Sequence, residues 1–158
     1  MKQSSITTEE GLVLGVDMSI DEAQALKNFD VLLVPSRYDM ESLISNASLI
    51  DFIREQSATV EWLTSNCSGS LLLAEAGVLD GKKATTWAGG EKDFQKKYPR
   101  VDVQYDKNWV VDGNILTSNG SVVSYQAALT LLKNMTSESK AKEVADTLQF
   151  SRLSSLSF

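Results

Sequence analysis

The spacing of apolar residues along this chain switches repeatedly between the patterns of strands and helices. Asp30-Val31-Leu32-Leu33-Val34 is a short run of Val and Leu closed by Pro35, which predicts a strand buried on both faces of a parallel sheet. Between Asp39 and Glu55, Leu43, Ile44, Ala47, Ile50 and Ile53 recur at three- and four-residue spacing, the stripe of one amphipathic helix. A second strand is expected over Val60 to Thr64. Asn66-Cys67-Ser68-Gly69-Ser70 then opens a helix whose apolar positions are Leu71, Leu72, Leu73 and Ala76, closed by Gly77.

The flanking segments continue the alternation. Ser5 to Val16, apolar and β-branched but interrupted by Glu9, Glu10 and Gly11, suggests a strand pair or hairpin leading into a helix. Ser19 and Glu22 have capping-box spacing ahead of Ile20, Ala23 and Leu26, so a short helix should run to about Asn28. Downstream, Lys83 to Thr86 reads as a strand and Glu91 to Lys97 as a helix ended by Tyr98-Pro99, with Val101 to Val103 extended. Trp109-Val110-Val111 and Ile115-Leu116-Thr117 form a hairpin through Asp112-Gly113, a pair suited to a tight primed turn. Val122 to Leu132 is an apolar helix with Tyr125, Ala128, Leu129 and Leu132 on one face. Glu138 to Phe150 is a more polar one, and residues 151–158 read as a frayed tail. Together these elements predict one α/β domain over residues 1–158, a sandwich with a mostly parallel sheet and one antiparallel hairpin, in which 1–28 is an atypical N-terminal segment.

Composition narrows the chemistry. A hydrophobic fraction of 42% and a charged fraction of 23% are globular values, and no stretch reaches the ~20 apolar residues that span a bilayer. The first residues lack an apolar signal-peptide core, so a cytoplasmic address is expected. A net charge of −6 with no Lys/Arg stripe argues against nucleic-acid binding by this chain alone. With no histidine, the chain can form neither a Cys-His dyad nor a His-based metal site, and neither a metal nor a cofactor is implied.

The single cysteine therefore carries the chemical interest. A strand running directly into a helix through Asn66-Cys67-Ser68-Gly69 sets Cys67 at a sharp turn, where unpaired N–H groups and the helix dipole favour a thiolate. Small neighbours let such a side chain stand clear of the sheet, as in a nucleophile elbow. A small buried cysteine after a strand is the competing reading, and the residues alone leave both open.

The segment LTSNCSGSLLLAEAGVLDGKKATTW followed by WVVDGNILTSNGSVVSYQAAL resembles the DJ-1/PfpI superfamily, in particular its isocyanide-hydratase-like and AraC-regulator-associated branch. The resemblance runs from about Phe29 to Met135. It implies a three-layer flavodoxin-like sandwich, a reactive cysteine at Cys67, and a donor role for the residue after it, Ser68. Asn66, Ser36 and Trp87 complete the set of candidate site residues.

Departures from the family pattern bear on function. Members usually begin with a strand and helix whose junction bears a Glu or Asp beside the cysteine, and this chain is expected to lack that unit. Glu9, Glu10 and Asp17 stand in the wrong context for that role, so the acid is unplaced. Val34-Pro35-Ser36-Arg37 replaces a Gly-Gly pair that helps form an oxyanion hole, and Trp87 stands where a histidine often follows the threonines. Trp87 is expected as core or pocket wall, Ser68 as helix cap or site donor, Asp39 as a helix cap, and Glu75 as a surface carboxylate.

Two functions follow from the resemblance. One is a small-molecule- or redox-responsive regulatory module, catalytically impaired or completed by a partner chain. The other is a cysteine-dependent hydratase or amidase acting on a small electrophile. The exposed sheet edge left by a missing inner strand needs a cover: the segment Ile6 to Leu14, a homodimer contact or a partner chain.

Overall fold

A computed structural model describes residues 5–8, 10–26, 29–150 and 152. Glu9, Asn28 and most of the C-terminal tail lie outside the described residues.

The described residues open on a hairpin of β1 (Ser5–Thr7) and β2 (Val13–Gly15), which among the described residues pair antiparallel with each other and with no other strand. Helix α1 (Ile20–Gln24) starts on the expected capping box, in which Glu22 N–H donates to Ser19 Oγ at 3.3 Å and Ser19 N–H to the Glu22 carboxylate at 2.9 Å. It stops at Ala25, so Leu26 falls outside the helix and is exposed. The predicted stripe is one residue shorter than its spacing suggested.

The main sheet has four strands in the order β3 (Val31–Val34), β4 (Trp62–Asn66), β8 (Ile115–Ser118) and β7 (Trp109–Asp112). The first two junctions are parallel and the last is the antiparallel hairpin. Its loop is Gly113-Asn114, since Asp112 pairs with Ile115, and Gly113 has φ 63° while neither neighbour is positive. The turn is thus displaced by one residue from Asp112-Gly113, with glycine at the first central position. A separate parallel pair joins β5 (Lys83–Ala84) to β6 (Asp102–Val103).

The stripe over 39–55 is divided between two helices, α2 (Met40–Ile44) and α3 (Ala47–Ser57). Asn46 explains the break: its Oδ1 accepts from Leu49 N–H at 3.2 Å, capping a fresh helix instead of continuing the first. Asp39 caps α2, accepting from Ser42 N–H at 3.2 Å, as expected. Hydrogen bonding from the Ser42 side chain, then from its N–H, with the Arg37 charge adding, holds the Asp39 carboxyl below the usual range.

Helix α4 (Ser70–Glu75) follows β4, and α5 (Glu91–Lys97) occupies the span expected for it. Tyr98, just after α5, donates its hydroxyl to Glu75 at 2.8 Å, so Glu75 is tied down as well as exposed. Burial of the ring, then the Glu75 carboxylate, push the Tyr98 hydroxyl well above its ordinary pKa.

Strand alternation explains where the core sits. Val34, Leu63 and Ile115 point to one face and join Ile53, Leu72, Leu73, Leu79 and Phe94 in the buried cluster. Val31, Leu33, Thr64, Asn66, Leu116 and Ser118 point to the other, where α6 (Val123–Met135) lies beside β8 and α7 (Glu138–Thr147) packs on α6. This second face is incompletely covered. Strand β3 is the sheet edge, Leu33 is 60% exposed, and an apolar groove of about 280 Å³ runs between β3, β4 and α6. Among α6 residues only Ala127 is buried, and Tyr125 and Ala128, predicted on the packed face, are exposed. The apolar run in β3 therefore corrects to an edge strand covered on one face. Nor does the Ile6 to Leu14 segment cover that edge, since it pairs only with itself.

Candidate functional site

Strand β4 delivers Asn66 in extended geometry, and the next residue reverses the chain: Cys67 has φ 53°, followed by a 3₁₀ turn over Cys67–Gly69 and then α4. A left-handed conformation in a residue with a Cβ costs of order 1–3 kcal/mol and persists only where surrounding contacts impose it. Those contacts are identifiable. Ser70 and Thr86 are fully buried; Ser70 Oγ donates to Thr86 Oγ1 at 2.8 Å, which leaves the Thr86 hydroxyl to donate to the Cys67 carbonyl at 3.3 Å.

Two glycines make room for the elbow. A Cβ on Gly69 would lie 2.2 Å from the Val34 carbonyl oxygen, so the turn seats directly on the backbone at the end of β3. A Cβ on Gly120 would lie 3.2 Å from both Cβ and Sγ of Cys67. Gly120 is fixed in turn by Asn119, whose Oδ1 accepts from Gly120 N–H at 2.7 Å and from Ala88 N–H at 2.9 Å.

Cys67 is partly buried and opens on a cavity of about 630 Å³. Ser36, Ser68 and Trp87 line it with Cys67, so the structure brings together four of the five residues singled out in the sequence. Ser68 points its hydroxyl at the Arg37 carbonyl oxygen, 3.5 Å away, and makes no helix-capping bond. Trp87 forms a wall, its indole packed so closely on Gly90 that a Cβ there would fall 1.9 Å from the ring. Asn66 faces elsewhere: its Nδ2 donates to Ser124 Oγ at 2.6 Å, and it lines the α6 groove instead of the thiol cavity.

Met40 and Leu71 supply apolar lining, and Glu10, Arg37 and Tyr38 supply polar lining. Glu10 reaches the cavity from the turn of the β1–β2 hairpin, a position that local sequence context could not connect to a cysteine 57 residues away. Asp17 is not part of the lining. Among the described residues, no group of three or more His, Cys, Asp or Glu side chains could hold a metal ion, and no helix is long and apolar enough to cross a membrane. The arrangement has the parts for thiol chemistry on a small molecule: a partly buried cysteine lining a cavity, an apolar wall, and one carboxylate and one guanidinium in the same lining.

Residues 1–134 match the sequence pattern of the DJ-1/PfpI family. The chain is 33% identical over 147 residues to isonitrile hydratase of Pseudomonas putida, covering 92% of this chain and 61% of that protein. It is 29% identical over 140 residues to the HTH-type transcriptional regulator CdhR of Pseudomonas aeruginosa, covering 88% of this chain and 41% of that one. A solved ThiJ/PfpI family protein from Pseudomonas syringae superposes with a TM-score of 0.81 at 23% identity, over 92% of this chain and 59% of the other, which supports the flavodoxin-like fold. The chain thus spans less than two thirds of the length of these relatives.

Proposed function

The chain belongs to the DJ-1/PfpI family, on the branch of isonitrile-hydratase-like and AraC-regulator-associated members, and from that premise we propose that Cys67 is the reactive centre of a small-molecule- or redox-responsive module. The observation that carries the reading is the left-handed backbone of Cys67 at the mouth of the 630 Å³ cavity. A purely structural cysteine gains nothing from a strained conformation that buried hydroxyls and two glycines must hold in place. A thiol so placed reacts with electrophiles, or takes an oxygen from peroxide to become a sulfenic acid while water leaves. A cytoplasmic location is part of this reading.

A second reading, a cysteine-dependent hydratase or amidase-type enzyme, is favoured by Glu10 in the same lining and by the similarity to isonitrile hydratase. In it the thiolate adds to the electrophilic carbon of the substrate, and Glu10 exchanges the proton that the developing anion requires. We assign the bare edge of β3 and the apolar groove to a contact with a second copy of this chain; a different partner chain is the alternative.

The test compares the alkylation rate of Cys67 by a neutral reagent at pH 7 in the folded protein and in urea, with Cys67→Ser as the blank. A folded rate several-fold above the unfolded one is expected. A folded thiol slower than the unfolded thiol would make Cys67 structural.

A further inference from the structure

Among the described residues Arg37 is the cation of the cavity lining, and neither reading uses it. It is an exposed residue of the same lining as Cys67, so it brings a positive charge to the edge of that cavity. Its guanidinium forms no ion pair with any described carboxylate, Glu10 included, although Glu10 lines the same cavity. The Arg37 main chain, by contrast, is anchored, since its carbonyl lies 3.5 Å from the Ser68 hydroxyl on the elbow itself. The neighbouring Asp39 accepts from Ser42 N–H at the start of α2, and its carboxylate also interacts with the Arg37 charge. The charged and titratable groups facing this space are therefore Arg37, Glu10 and Cys67, with Tyr38 beside them and Asp39 next along the chain.

A guanidinium presents a planar fork of donors that matches a carboxylate, and Arg37 carries it on an exposed residue of the cavity lining. Met40, Leu71 and Trp87 provide an apolar surface in the same cavity. We propose that Arg37 selects the substrate class of this site: small electrophiles that carry a carboxylate, bound with the carboxylate on the guanidinium and the electrophilic carbon at Sγ of Cys67. The inference rests on the reading of Cys67 as a reactive thiol. Glu10 and Asp39 oppose it electrostatically, and the balance among the three charges sets the selectivity.

Iodoacetate and iodoacetamide test this directly, because they differ in charge while sharing size and leaving group. In each reaction the thiolate sulfur forms a C–S bond as the C–I bond breaks and iodide departs. Cys67 is the single cysteine of the chain, so each rate constant reports one site. The quantity read is the ratio of the iodoacetate to the iodoacetamide rate constant at low salt. Arg37→Gln is expected to lower that ratio about five-fold, Arg37→Lys to retain most of it, and Glu10→Gln to raise it. Lys142→Gln removes the same unit of charge on α7, away from the cavity, and is expected to leave the ratio unchanged. In the unmodified protein the ratio falls as salt is raised, a readout that requires no variant to fold. A thiol that reacts with both reagents, with a ratio that moves no more in Arg37→Gln than in Lys142→Gln, overturns the role of Arg37 and leaves the reactive thiol intact. Failure of the folded protein to react with either reagent overturns both.

Discussion

Gly69→Ala sets a local rule against a tertiary contact and predicts the sign of the outcome. Gly69 sits at φ −57° and ψ −25°, ordinary helical values that alanine prefers by about 1 kcal/mol. If only backbone preference mattered, the substitution would stabilise the protein. The added methyl carbon, however, would lie 2.2 Å from the Val34 carbonyl oxygen, 2.9 Å from the Pro35 carbonyl oxygen and 3.0 Å from the Val34 carbonyl carbon. All three are main-chain atoms, so no rotamer change relieves the contact; the elbow or the end of β3 must move. Overpacking of this kind costs about 3 kcal/mol or more, leaving a net loss of about 2–3 kcal/mol after the propensity gain. For a domain of this size the thermal midpoint should fall by about 4–12 °C, and the urea midpoint by about 1 M. Gly15→Ala is the control, since nothing lies within 4 Å of a Cβ there and its φ is not positive. A Gly69→Ala midpoint equal to or above that of the parent would refute the close seating of elbow on strand.

Two further outcomes are expected. Because the Tyr98 hydroxyl is held above its ordinary pKa, the folded state retains a proton that the unfolded chain loses above about pH 10. Stability from this group is therefore complete below that pH and declines as pH rises past it. Tyr98→Phe should flatten the decline in urea midpoints between pH 9 and 11, and an identical slope in the variant would contradict the assignment. If β3 and the groove pack against a second copy, light scattering should give twice the 17.3 kDa of one chain, and Leu33→Lys should return the protein to a monomer. A parent protein that is monomeric at every concentration would remove the dimer.

Much of the architecture was readable from local signals, because those signals arise within a few residues of each other. The capping box at Ser19, the Asp39 cap, the span of α5, the β7–β8 hairpin and the strand-to-helix turn at Cys67 all belong to this class. The errors came where an apolar residue has two destinations. Val31 and Leu33 read as doubly buried because the sequence records their hydrophobicity and not the lack of a neighbour for β3. The stripe over 39–55 hid the break at Asn46, since Leu43 and Ile44 on one helix keep step with Ala47 and Ile50 on the next. Within the site, Cys67, Ser68, Ser36 and Trp87 meet at one cavity, whereas Asn66 turns to the α6 groove, as strand alternation at β4 dictates. Glu10 and Gly120 were invisible because their proximity to the thiol arises only when distant segments fold together.

The β1–β2 hairpin contributes no residue to the buried core, yet it brings a charge to the thiol cavity. Two-stranded units of this size have little cohesion of their own, so the opening of the hairpin is energetically separate from unfolding of the domain. Mutations between residues 5 and 15 can thus change the electrical surroundings of Cys67 without threatening the fold. On the reading of Cys67 as a reactive thiol, changes in such a segment act on what the thiol reacts with, while changes in the elbow and its glycines act on the fold.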